Sequence, residues 1–107
     1  MQVEELVVFS ELFDIYGKLL SNKQYELLSE FLNFNLGESE IAESIGASRQ
    51  SVHDAITKAK KQLLDFENKC GILKNNRKIK SKLEKLKIIL NDKNEAESLI
   101  DDIIDNL

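Results

Sequence analysis

A single stretch constrains this chain more than any other. Residues 38–64 read ESEIAESIGASRQSVHDAITKAKKQLL. Ile41, Ala42 and Ile45 recur at helical spacing and predict one apolar face. Gly46 follows at once, and glycine is the residue that enters the left-handed backbone region without a Cβ penalty. Ser48 has the chemistry of an N-cap, and Val52, Ile56, Ala59 and Leu63 predict the buried face of the helix behind it. Ala42 is small where two such helices must cross. Helix, tight glycine turn, capped second helix: this is the pattern of a helix-turn-helix, whose second helix enters the DNA major groove by its N-terminal turns.

The rest of the chain reads as helical almost throughout. It has 107 residues, no proline and no tryptophan, so little breaks a helix. A chain of this length buries roughly two-thirds of its unfolded surface, enough for a core without disulfides. Cys70 is the only cysteine, so no internal disulfide can form and a reducing compartment is expected. No apolar run approaches the roughly 20 residues of a membrane span, and the N-terminus lacks a signal-peptide pattern. The expected location is cytoplasmic.

Upstream of the turn, a first helix is predicted over about Val3 to Lys18, with Leu6, Val7, Phe9, Leu12, Phe13 and Tyr16 as apolar positions and Gly17 loosening its end. Ser21 and Gln24 have the spacing of a capping box, with Leu20 and Tyr25 placed as a hydrophobic staple. The second helix then carries Leu27, Leu28, Phe31, Leu32 and Phe34, and Asn35 to Gly37 is a loop. The helix that starts at Arg49 is expected to run to about Lys69, with Cys70-Gly71 as its cap.

Beyond Gly71 the composition changes. A lysine-rich helix is predicted from Arg77 to Leu90 after Asn75-Asn76, with Ile79, Leu83, Leu86 and Leu90 at 4-3-4 spacing. Asn91 to Asn94 breaks it. A last helix repeats the spacing with Ala96, Ile100, Ile103 and Leu107. Two short heptad stripes joined by a polar turn suggest a helical hairpin, or pairing with a second copy of the chain as a homodimer. The fold expected is therefore all-α: a helix-turn-helix domain over 1–72 and a C-terminal helical extension over 73–107.

Charge is segmented along the chain. The net charge is −4, which argues against indiscriminate coating of nucleic acid. Yet residues 74–93 hold eight basic side chains and two acids, and residues 94–107 hold five acids and no base. The two arms of the hairpin are thus of opposite sign. Lys74, Arg77, Lys78, Lys80, Lys82, Lys85 and Lys87 either solvate the helix or supply non-specific phosphate contacts.

On the helix after the turn, inward Val52, Ile56 and Ala59 leave Arg49, Gln50, His53, Asp54, Thr57 and Lys58 outward. Arg can bind guanine bidentately and Gln can bind adenine. Asp54 could accept a hydrogen bond from cytosine. Arg49, Lys58, Lys60 and Lys61 are candidate phosphate contacts. Ser39 and Ser48 lie near helix N-termini, where backbone N–H groups suit phosphate oxygens. Residues 38–65 are only weakly charged, so the same motif could instead serve protein contact.

Nothing suggests catalysis. His53 is the sole histidine, with no partner spaced to orient it. Asp101, Asp102 and Asp105 lack the spacing of an EF-hand. There is neither a P-loop nor GxGxxG. No cofactor and no metal site are expected, and the aromatics sit mostly at core spacing.

The chain resembles the YlxM family of small bacterial proteins over about residues 6–72. The likeness rests on YGKLLSNKQ at 16–24, EIAESIGASRQSVHDAI at 40–56, and the run through LLDFENK to Cys70. The middle segment also resembles the DNA-reading end of sigma factors, region four. The resemblance implies a sigma-region-four-like fold and duplex DNA as partner. Genes of that family usually neighbour the gene of the signal recognition particle GTPase, which implies a regulatory role with signal recognition particle components. The rival reading is an adaptor that binds the targeting GTPase or the transcription machinery without reading DNA.

Overall fold

The computed structural model describes residues 2–90 and 94–107. The expected break at Asn91 to Asn94 lies outside these residues save for Asn94, where the last helix begins. All the regular structure described is helical: α1 (Val3–Tyr16), a 3₁₀ turn (Gly17–Leu19), α2 (Asn22–Asn33), α3 (Glu38–Ile45), α4 (Arg49–Cys70), α5 (Ile72–Ile89) and α6 (Asn94–Asp105). Among the described residues no helix is long and apolar enough to cross a membrane. The chain divides into two compact units, Met1–Cys70 and Gly71–Leu107.

The first unit is built around α4, which packs on α1, α2 and α3. Helix α1 carries Glu4 and Glu5 in its first turn, where carboxylates oppose the positive end of the helix dipole. Its buried residues Phe9, Leu12, Phe13 and Tyr16 recur at three- and four-residue spacing and form one stripe. Val7, expected among the apolar positions, is 50% exposed, because two residues before Phe9 it falls on the far side of the helix from that stripe. The helix stops at Tyr16, two residues short of the expected Lys18. Gly17 does more than loosen that end. A Cβ there would stand 3.0 Å from the Phe13 ring and 3.3 Å from the Tyr25 ring. Those rings stack at 4.8 Å between centroids, and glycine is what lets the chain pass beside them.

Helix α2 opens on the expected capping box. The Gln24 N–H donates to Ser21 Oγ, and the Ser21 N–H donates to Gln24 Oε1, both at 3.2 Å. Leu27 and Leu28 face the core. Phe34, expected to be apolar packing, is 69% exposed, because the helix has already ended at Asn33 and Phe34 points away from the bundle. Asn35 takes φ 53°, a conformation asparagine tolerates, and the Leu36 N–H turns back to the Glu30 carbonyl. Two long-range contacts then fix α4. The buried Tyr16 hydroxyl donates to Glu67 Oε1 at 2.7 Å, and the Tyr16 and Phe66 rings lie 6.0 Å apart.

The second unit begins immediately. Gly71 adopts φ 63°, and α5 starts at Ile72, not at Arg77. Asn75 and Asn76 lie within the helix, the Asn75 N–H bonding to the Gly71 carbonyl at 3.0 Å. Their poor helix propensity is a weak preference that a run of hydrogen bonds and the apolar pair Ile72-Leu73 outweigh. Helix α5 packs on α6. The burial differs from the 4-3-4 stripes: Leu73 and Ile100 are buried, Ile79, Leu83, Leu90, Ala96 and Ile104 are half-buried, and Leu86, Ile103 and Leu107 are 42%, 47% and 41% exposed. Two helices close over one face, whereas a heptad stripe in each supplies slightly more than one.

Candidate nucleic-acid interface

The turn between α3 and α4 is fixed by three local devices. Gly46 takes φ 70°, ψ 31°, and open space surrounds the place where its Cβ would stand, so conformation alone selects glycine. The Ala47 N–H bonds to the Ala42 carbonyl at 2.9 Å, the six-to-one closure of a Schellman cap. Ser48 then caps α4: the Ser51 N–H donates to Ser48 Oγ at 3.1 Å, and the Ser51 hydroxyl donates to the Ser48 carbonyl at 2.9 Å. This leaves the backbone N–H groups of Arg49 and Gln50 pointing out of the helix N-terminus.

Packing sets the rotation of α4. Val52, Ile56, Ala59 and Leu63 are 0–3% exposed and rest against the first unit's core. Arg49, Gln50, His53, Asp54, Thr57, Lys58 and Lys61 are all exposed; at 3.6 residues per turn Gln50 and those after it point away from the buried stripe, and Arg49 stands at its margin, in the turn before Val52. Ser39 is exposed in the first turn of α3, between Glu38 and Glu40, while Gly37 and not a serine holds the cap position. Ile45 is 47% exposed instead of completing the apolar face of Ile41 and Ala42. It lines a shallow hollow of about 290 Å³ with Lys23, Glu26, Leu27, Glu30 and Ala47.

Two polar contacts organise the exposed face. Gln50 Nε2 donates to Asp54 Oδ1 at 2.9 Å, an i,i+4 pair along α4. His53 Nδ1 meets Glu38 Oε2 at 2.8 Å and ties α4 to the start of α3. The spacing of Gln50 and Asp54 was visible in the sequence, but Glu38 was not, because its contact crosses the turn. Lys60 departs from the role its charge suggested. Its ammonium sits 5.3 Å from the Phe9 ring centroid and 5.1 Å from that of Phe31, a cation–π clamp on the inner side of α4 instead of a phosphate contact.

The exposed face presents a guanidinium, a carboxamide, an imidazole, two ammonium groups, a hydroxyl and a carboxylate. Among the described residues no group of three or more His, Cys, Asp or Glu side chains is placed to hold a metal ion. Cys70 is exposed at the end of α4. Asp101 of α6 is occupied by Lys87 at 2.9 Å.

Comparison with known proteins agrees with this geometry. Residues 3–103 match the family model described as "UPF0122: Putative helix-turn-helix protein, YlxM / p13 like". The chain is 35% identical to a UPF0122 protein of Clostridium acetobutylicum, across 94% of this chain and 92% of that one. It is 33% identical to a UPF0122 protein of Clostridium novyi, across 94% and 93%. With a UPF0122 protein of Thermoanaerobacter sp. it shares 34% identity, across 78% and 72%. The family description names no catalytic activity.

Proposed function

The chain belongs to the UPF0122 family of YlxM / p13-like helix-turn-helix proteins, and from that premise we propose that it is a duplex-DNA-binding regulator. One observation carries this reading. Seven polar side chains of α4 are exposed directly behind a capped helix N-terminus, while Val52, Ile56, Ala59 and Leu63 of the same helix are buried in the core. In the proposed complex the first turns of α4 enter the major groove. Arg49 and Gln50 reach base edges, His53, Asp54 and Thr57 flank them, and Lys58 and Lys61 meet phosphates. Ser39 and Ser48 approach the backbone. Residues 1–72 act as the reading domain, of sigma-region-four-like design, and residues 73–107 as its extension. The resemblance to a family encoded beside the targeting GTPase supports a regulatory role in the signal recognition particle pathway.

Two contacts favour a second reading. Gln50 is engaged by Asp54 and His53 by Glu38, so these groups must be released before they can read a base. A protein partner would not require that. The alternative is an adaptor that presents the same face to the targeting GTPase or the transcription machinery.

Binding of fluorescent duplexes selected from a random pool, measured across a salt series, separates the two. Under the DNA reading Arg49→Ala loses roughly 1–3 kcal/mol, and affinity falls steeply with salt. Unchanged affinity at matched salt removes Arg49 from the interface. Failure of any duplex to be enriched rejects DNA as the partner.

A further inference from the structure

The second unit leaves a continuous apolar face open. On α5, Leu86 and Ile89 are 42% and 72% exposed; on α6, Leu99 and Ile103 are 59% and 47% exposed. At 100° per residue, Leu86 and Ile89 lie to one side of the half-buried stripe of α5, and Leu99 and Ile103 lie to one side of the Ile100–Ile104 stripe of α6. The two helices are joined by a short link and pack together, so they run in opposite senses, and the sense of winding reverses between them. Both leftover edges therefore fall on the same side of the hairpin. Lys82 and Lys85 line the outer rim on α5, and Glu95 and Asp102 line it on α6; all four are exposed.

We infer that this face is the self-association surface of the protein, and that its occupant is the same face of a second copy. Charge selects the arrangement. Two hairpins can stack face to face with a two-fold axis in the interface in two ways. With the axis across the helices, α5 lies on α5, and the lysine rims oppose each other. With the axis along the helices, each α5 lies on the partner's α6, and the basic rim of one copy meets the acidic rim of the other twice over. Only the second is self-complementary, as an isologous dimer requires. It makes an antiparallel four-helix bundle in which the excess apolar width of each helix is covered. A monomeric hairpin leaves four large aliphatic side chains, Leu86, Ile89, Leu99 and Ile103, in water on one side, and apolar patches of that kind mark interaction surfaces. The inference does not depend on what α4 recognises.

Sedimentation equilibrium of the full chain tests it. The expected result is a dimer. Ile89→Glu with Ile103→Glu should give monomers with unchanged helical circular dichroism. The decisive measurement uses the rims. Lys82→Glu with Lys85→Glu should be monomeric, and so should Glu95→Lys with Asp102→Lys, but mixing the two variants should restore a one-to-one dimer. A wild-type monomer at every concentration overturns the proposal. So does a dimer indifferent to these substitutions, or a pair of rim variants that fails to recombine.

Discussion

The two units of this chain use the same amino acids and the same helical period, yet they bury them to different depths. In the first unit α4 is covered by three helices, and twelve hydrophobic side chains from Phe9 to Ala59, with Leu63 beside them, fall below one-tenth exposure. In the second, α5 and α6 pack on each other, and among the described residues only Leu73 and Ile100 reach that depth. Amphipathic width explains the difference. A helix with several neighbours can bury its full apolar arc, whereas a two-helix unit covers one seam and leaves the margins in water. The first unit is therefore expected to carry most of the chain's intrinsic stability, and the second to depend on whatever covers its open side.

The largest effect that can break this comparison is a core truncation. Leu63 is fully buried in α4, and Leu63→Ala removes its contacts with the bundle. The expected loss is about 2–5 kcal/mol, read as a lower urea midpoint. The matching change in the second unit is Ile88→Ala, at a side chain 81% exposed and away from the open apolar face. It should stay within about 0.5 kcal/mol of wild type. Comparable losses at the two sites would mean that depth of burial does not distinguish the units.

Much of the first unit was legible because residue-specific chemistry, not mere hydrophobicity, marks its joints. Ser21 with Gln24, Gly46 and Ser48 each have few structural uses, and each adopts the one its sequence context indicated. The four inward residues of α4 were equally plain from period alone. What could not be read depends on which element approaches which. Period assigns Ile45 to an apolar side but does not say how far the neighbours extend over it, and Val7 was counted as apolar although period alone puts it opposite Phe9. The Glu38–His53 and Tyr16–Glu67 contacts join residues distant in sequence, and the Lys60 clamp needs rings from α1 and α2. In the second unit the start of α5 was missed because Asn75-Asn76 looks like a break. Within a helix already nucleated at Gly71, two asparagines cost little.

A middle-sized effect sharpens the contrast at the turns. Gly46 and Gly71 share the left-handed conformation, with open space around both. Alanine at either is strained by roughly 1–2 kcal/mol from backbone conformation alone. The consequences should differ. Gly46→Ala strains the first unit's own fold, so it should lower the urea midpoint and distort the face that carries Arg49 and Gln50. Gly71→Ala strains only the link into α5, and that local strain can be relieved by fraying α5 without unfolding the core. Amide exchange distinguishes them: Gly46→Ala should speed exchange in α3 and α4, and Gly71→Ala should speed it near the start of α5 alone. Uniform acceleration throughout by Gly71→Ala would show the units to be one cooperative body.

The smallest effect concerns the ion pair that spans the second unit. Lys87 Nζ donates to Asp101 Oδ1 at 2.9 Å, and this hydrogen bond, with the charge of Asp101 behind it, holds the ammonium above the usual lysine value of 10.5. A raised value means that the folded hairpin favours the charged form. The stabilisation is thus complete below the unfolded lysine pKa, and it fades as pH rises through the folded one. Both partners reach solvent, with side chains 32% and 54% exposed, so the contribution is small and weakened by salt. Lys87→Met keeps most of the aliphatic stem and removes the charge. At neutral pH and low salt it should leave α6 slightly less protected from amide exchange than in wild type. That gap should narrow as salt is added. It should close above the lysine range, where the wild-type side chain is itself neutral; the other groups titrating there are common to both proteins and cancel in the comparison. A gap that persists at high pH would assign the effect to packing of the lysine stem, and the α5–α6 seam would then owe nothing to its opposite charges.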